Sequence, residues 1–164
     1  MKASRRLWVL YKYYEKISMF FYQLQFLKLK ILGASIGKKS KAFGWFKVLG
    51  DPKNLIIGNN VKINEGVFIN CRDKVILEDF VTLSSFAKIY STQLDYKKFP
   101  RIHVKAPVII KKNTWIASDC LVLMGVTIGE NSVIGARSLV SKDVESDALY
   151  IGDKVVKKLN IKYD

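Results

Sequence analysis

The sequence predicts an all-β solenoid of six-residue repeats preceded by one amphipathic α-helix. Three observations carry this. Ile110, Ile116, Val122, Ile128, Ile134 and Val140 recur every six positions without a slip. A small or medium residue stands four places after each aliphatic, as at Thr114, Cys120, Val126, Ser132, Ser138 and Val144. Residues 7–24 carry apolar side chains at spacings of three and four instead. Six is neither the 3.6-residue period of a helix nor the two-residue period of a strand, so a longer unit repeats.

The first element is residues 1–34, a basic amphipathic segment. Leu7, Leu10, Tyr14, Ile17, Phe21 and Leu24 form one helical stripe, fringed by Arg5, Arg6, Lys12, Lys16, Lys28 and Lys30, with Glu15 the only acid. The longest uncharged run, Ile17 to Leu27, has eleven residues. A spanning helix needs roughly 18 or more, so this one does not cross a bilayer. With Trp8, Phe20, Phe21 and Phe26 it suits the plane of an anionic membrane interface; equally, the stripe packs on the rest of the protein or on another subunit.

Residues 35–145 are the solenoid. Ile57, Ile63 and Ile69 keep the period; a two-residue insertion resets it to Leu77, Leu83 and Ile89, and the run from Ile110 follows. Val61, Val67, Val81 and Ala87 supply the matching positions four residues on. Each unit reads as a short strand with one inward aliphatic, then a tight corner of small or positive-φ residues such as Gly58, Gly129 and Gly135. Three strands close a triangular coil, and stacked coils bury a column that no single repeat could bury alone. With coils starting near Ile36, the solenoid is expected to fold without residues 1–30 if the stripe faces lipid; if the stripe packs on the protein, the same truncation is expected to expose apolar surface and cause aggregation or loss of the assembly.

The repeat breaks at 91–107, within YSTQLDYKKFPRIHVKAPV. A coil accepts such an insertion by looping it out at a corner, and function concentrates on loops over a rigid scaffold. The loop holds His103, the chain's only histidine. Residues 146–164 form a closing segment.

At 164 residues and 49% hydrophobic, the chain is expected to build one core and one domain. A net charge of +14 predicts an anionic partner. Nucleic acid is disfavoured, since no binding motif appears and cations concentrate at the first helix. Cys71 and Cys120 have no metal or disulfide spacing, and Cys120 takes an inward position, so both read as reduced structural thiols. No small-residue cleavage site follows an apolar stretch, which points to a cytoplasmic setting, with peripheral contact on the inner membrane face through residues 1–30.

The strings NTWIASDCLVLMGVTIG and IGENSVIGARSLVSKDV resemble the hexapeptide-repeat acyltransferases, over about residues 36 to 145. The nearest likeness is to the small sugar O-acetyltransferases of the maltose and galactoside type and of polysaccharide biosynthesis. The resemblance implies a left-handed parallel β-helix, acetyl-CoA as co-substrate without a metal, and homotrimers with active sites between subunits. It implies a sugar acceptor, here in surface-polysaccharide or glycolipid assembly and open to being lipid-linked.

Acetyl transfer to a hydroxyl needs a base, and histidine titrates near neutrality. The resembled enzymes place theirs early in this loop, where this chain has Ser91-Thr92-Gln93. His103 serves from ten residues later if the loop folds back; otherwise it is a surface histidine. Asp95, the nearest loop acid, would orient the imidazole or make a turn. By resemblance, Ser118 in WIAS and Ala136 in VIGARS meet the pantetheine arm, while Ser141 and Lys142 in VSKD, with Arg137, lie near the adenosine phosphates. The family usually has glycine at Arg137, and plain corner geometry would explain these residues as well. Asn70 in FINC falls near a sugar-contacting asparagine, and Trp115 shields the site or packs its corner. The C-terminal IGDKVVKKLNI keeps Gly152 but lacks the family's proline turn.

Other classes remain to be weighed. A γ-type carbonic anhydrase shares the fold but needs three zinc-binding histidines, so one histidine excludes it. N-acylation of an amino sugar and an inactive scaffold subunit stay open.

Overall fold

The computed structural model describes residues 2–159, with side chains from residue 7. The strands form three parallel faces of a β-helix of about six turns. The first face stacks Ser35–Ile36, Leu55–Ile57, Val75–Leu77, Val108–Ile110 and Thr127–Ile128; the third stacks Lys47–Gly50, Phe68–Cys71, Lys88–Tyr90, Leu121–Val122 and Leu139–Val140. Between them the second runs from Lys41–Ala42 to Ala148–Ile151, which also pairs antiparallel with Lys154–Lys158 to finish the upper end. Residues 160–164 of the closing segment lie outside the described residues.

The six-residue period is the inward column of each face. Ile57, Leu77, Ile110 and Ile128 stack in register on the first. Ile63, Leu83, Ile116 and Ile134 do so on the second, and Ile69, Ile89, Val122 and Val140 on the third. All twelve are at most 1% exposed, and the residue four places later is buried too, except at Asp73 and Gln93, which follow Ile69 and Ile89. Leu77 pairs with Ile110 although more than thirty residues separate them, so the 91–107 insertion leaves the register intact.

The corners differ from expectation. The left-handed residue comes three places after the aliphatic, not directly after it: Asn60, Phe80, Phe86, Asn113, Asp119, Asn131, Arg137 and Asp147 all have φ between 56° and 63°. The glycines next to the aliphatics serve close stacking instead. A Cβ on Gly58 would lie 2.7 Å from the Asp79 nitrogen, and one on Gly129 would meet the Ser146 backbone. Asn and Asp tolerate the left-handed region; Phe80 and Phe86 adopt it at a cost of about 1–3 kcal/mol each.

One helix, α1 (Lys2–Ile31), closes the lower end. Phe26 and Leu29 are buried on the first coil, Phe26 stacks 5.5 Å from Phe46, and Tyr22 meets Trp45 edge-on at 5.7 Å. The amide of Gln23 donates to Ala42 O at 2.8 Å and its oxygen accepts from Ala42 N at 3.2 Å. Gln25 likewise serves Gly44 O and Phe46 N, at 3.1 and 3.0 Å. These side chains satisfy the backbone edge that the first coil would leave open.

The docked face is therefore not the predicted stripe. Leu7, Leu10, Tyr14, Ile17, Phe21 and Leu24 are 39–67% exposed. Arg5 and Arg6, expected in the basic fringe, have side chains outside the described residues. The solenoid also does not start cleanly at Ile36, because residues 22–29 are its lid. Deleting residues 1–30 should thus uncover the first coil and cause aggregation, while deleting 1–17 should leave a folded chain. Light scattering and thermal melts of the two truncations check this. Each of Phe26 and Leu29 is worth about 1.5–3 kcal/mol of burial.

Candidate active site

The insertion leaves the solenoid at the corner between the third and first faces. Ser91, fully buried, donates from Oγ to Asn70 O at 2.8 Å and accepts from Asp73 N at 2.9 Å. Fifteen residues on, Ala106 N donates to Ser91 O at 3.1 Å, so the loop returns where it left. Between these ends Thr92–Leu94 and His103–Lys105 pair as an antiparallel hairpin, with Leu94 opposite His103. The late histidine is thereby carried back to the early part of the loop.

His103 is exposed on this hairpin. Its Nδ1 lies 3.5 Å from the Thr92 hydroxyl, and that hydroxyl donates to Val104 O at 2.8 Å. With its proton committed, Thr92 Oγ1 offers only lone pairs to the ring. The tautomer that satisfies this contact has the proton on Nδ1 and a free lone pair on Nε2. Thr92 is 6% exposed.

Asp95 sits at the hairpin tip. Its Oδ1 accepts from Lys97 N at 3.0 Å, its Oδ2 lies 3.8 Å from Lys98 Nζ, and its own N–H donates to Ile102 O at 2.8 Å. That is a turn-forming use of the carboxylate; the contact at the imidazole is made by Thr92. Asn70 stands at the hairpin root, 6% exposed, opposite Tyr90, with Oδ1 accepting from Arg72 N at 3.3 Å.

Ser118, Ala136 and Arg137 gather at a different edge, the corner between the second and third faces. Arg137 N donates to Ser118 O at 2.9 Å, so the two corners stack directly. Arg137 holds φ 59°, a conformation that glycine adopts without strain. Ser141 and Lys142 are exposed on the hairpin's own corner column, anchored by Asp143, whose Oδ1 accepts from Thr127 N at 2.7 Å. Within one chain His103, Asn70, Ser141 and Lys142 thus share one edge, at different coils. Ser118, Ala136 and Arg137 lie across the third face, with Lys88, Leu121 and Leu139 in register between.

Trp115 projects from the second face, 49% exposed, and its Nε1 donates to Ser84 Oγ at 2.9 Å. Both cysteines are buried and free, and desolvation raises each thiol pKa, which disfavours a nucleophilic thiolate. Among the described residues no group of three or more His, Cys, Asp or Glu could hold a metal ion. Sequence reasoning missed Thr92 and Ser84. Only Thr92 had a usable signal, a small polar residue beside the expected histidine position.

Residues 107–142 match the family model described as bacterial transferase hexapeptide (six repeats). A Staphylococcus aureus (strain Mu50) protein, named as an assumed acetyltransferase, is 36% identical over 123 residues, covering 72% of this chain and 58% of the relative. The galactoside O-acetyltransferase of Escherichia coli K12 is 31% identical over 110 residues, 66% of this chain and 53% of that protein. The chain therefore spans little more than half the length of these curated relatives. Among solved structures, a maltose O-acetyltransferase from Clostridium difficile 630 superposes with TM-score 0.74 at 29% identity, covering 81% of this chain and 73% of that one. A galactoside acetyltransferase in complex with coenzyme A gives 0.72 at 27%, covering 80% and 68%. Repeat, register and matches agree: this chain is a hexapeptide-repeat protein of the kind found in acetyltransferases.

Proposed function

We propose that the protein is an acetyl-CoA-dependent O-acetyltransferase acting on a sugar, with His103 as general base. The observation that carries this reading is the hairpin that returns His103 to the early loop and sets Thr92 against its Nδ1. Nε2 takes the hydroxyl proton as the sugar oxygen attacks the thioester carbonyl. The C–S bond then breaks, and the same nitrogen returns the proton to the departing sulfur. No covalent enzyme intermediate is needed, in keeping with two buried thiols. Asp95 has the lesser part of shaping the hairpin tip.

Ser118 and Ala136 are assigned to the pantetheine arm, and Arg137, Ser141 and Lys142 to the phosphates. The position of Ser118, Ala136 and Arg137 across the third face from His103 fits a homotrimer in which one chain's hairpin meets a neighbour's corner column. Asn70 and Trp115 are assigned to the acceptor side. A place in surface-polysaccharide or glycolipid assembly, on the cytoplasmic side with a lipid-linked acceptor, accords with the exposed apolar face of α1.

Mass spectrometry of nucleotide sugars and oligosaccharides incubated with acetyl-CoA and enzyme tests the assignment; an acetylated sugar is expected, and an unmodified panel would argue for a scaffold. Thr92→Val should cut kcat and alter the pH profile of kcat/KM, whereas Thr92→Ser should restore both. If valine and serine behave alike, Thr92 does not orient the ring. Lys142→Glu should weaken acetyl-CoA by about tenfold or more, the scale of one lost charge-assisted hydrogen bond. The same loss with a cofactor lacking the remote phosphate would count against the Lys142 assignment.

A further inference from the structure

The exposed side of α1 is a continuous apolar face. Directly across the helix from Tyr22, Phe26 and Leu29, the series Leu10, Tyr13, Ile17, Phe20, Leu24, Leu27 and Ile31 alternates spacings of three and four over about 32 Å. These residues are 39–78% exposed. Leu7, Tyr14 and Phe21, at 67%, 66% and 50%, widen the series into a band rather than a single seam.

A band of this kind has two natural occupants, another copy of α1 or a lipid surface. The spacing alone would permit a coiled coil. The flanks decide against it: Lys12, Lys16 and Lys30 run along one border of the band, Lys28 lies within it, and Glu15 is the only acid present. Like charges along that border and within the band repel in a homotypic pair, and they attract anionic headgroups. The width also exceeds the narrow seam that a coiled coil uses. Aromatic residues at Tyr13, Tyr14, Phe20 and Phe21 suit the headgroup–acyl boundary, and Lys28, within the band, has a long stem that lets its ammonium reach headgroups. No described helix is long and apolar enough to cross a membrane, so the helix lies in the surface.

We propose that the face of α1 turned away from the coils lies on an anionic lipid surface, with the solenoid mounted on the opposite face. The coil-facing side is already occupied by the first coil, through Gln23, Gln25, Phe26 and Leu29, so lipid binding does not require α1 to undock. This goes beyond acyl transfer and does not depend on it.

Full-length protein is sedimented with phosphatidylcholine vesicles, alone or mixed with phosphatidylglycerol, across a salt series. Binding is expected to the mixed vesicles only, and to fall as salt rises. Ile17→Glu with Phe20→Glu should reduce vesicle partition at least about tenfold, as should Lys12→Glu with Lys16→Glu. Both variants should keep their helical circular dichroism and their mass in lipid-free analytical sedimentation. Equal binding to neutral vesicles, or none to either, would overturn the proposal. So would a loss of oligomer mass in the variants, which would make the band a contact between chains. Acetyl transfer to a water-soluble acceptor should survive in both variants, so a failed lipid assignment is separable from a failed catalytic one.

Discussion

His103→Ala should lower turnover by about 10²-fold or more, the usual contribution of a positioned general base. Acetyl-CoA affinity should stay nearly unchanged, because His103 is on the hairpin and the residues assigned to the cofactor arm are on the corner at Ser118 and Ala136. The side chain is exposed and its ring contact is a single 3.5 Å approach from Thr92, so its removal leaves no buried cavity. The melting temperature should therefore hold. Activity that survives intact would make His103 structural and place the base elsewhere. Isothermal titration with acetyl-CoA alongside steady-state kinetics separates the two parameters.

Ile116→Ala should destabilise the fold by about 2–5 kcal/mol, through lost burial and the cavity left behind. Ile116 is fully buried between Leu83 below and Ile134 above, in strands held in register on both sides. Neighbouring coils cannot close the gap without breaking that register. Its coil also carries Trp115 and the Ser118 corner, so acetyl-CoA affinity should fall together with stability. The exposed second-face substitution Lys62→Ala, one column outward, should stay within about 0.5 kcal/mol. Denaturant midpoints for the two variants give the comparison, and equal midpoints would mean that the inward columns do not hold the solenoid.

Burial could be read from the sequence because one aliphatic every six residues permits only one side of each short strand to face inward. Ile57, Leu83, Ile116 and Val140 all took the expected positions, as did the small residues four places on. Corner geometry was less legible. Its left-handed position accepts Asn131 and Gly125 but also Phe80, Phe86 and Arg137, which have no turn signature. The helix could not be resolved from its stripe alone: the stripe faces away from the coils, and the docked face mixes Phe26 and Leu29 with two glutamines whose value appears only against the first coil's open edge. At the site, the insertion and its histidine were plain. The return of His103 was not, because Thr92–Leu94 and His103–Lys105 are three-residue strands, too short to show an alternating pattern.

A solenoid that presents His103 to an acceptor hydroxyl beside a bound thioester should transfer acetyl groups to that hydroxyl. Free thiol released from acetyl-CoA by the wild-type protein, followed with and without candidate sugars, tests it most directly. Release should depend on acceptor, saturate with it and be matched mole for mole by acetylated sugar. Acetyl-CoA that binds but is turned over no faster with any acceptor would contradict it, and would leave the solenoid a binding scaffold.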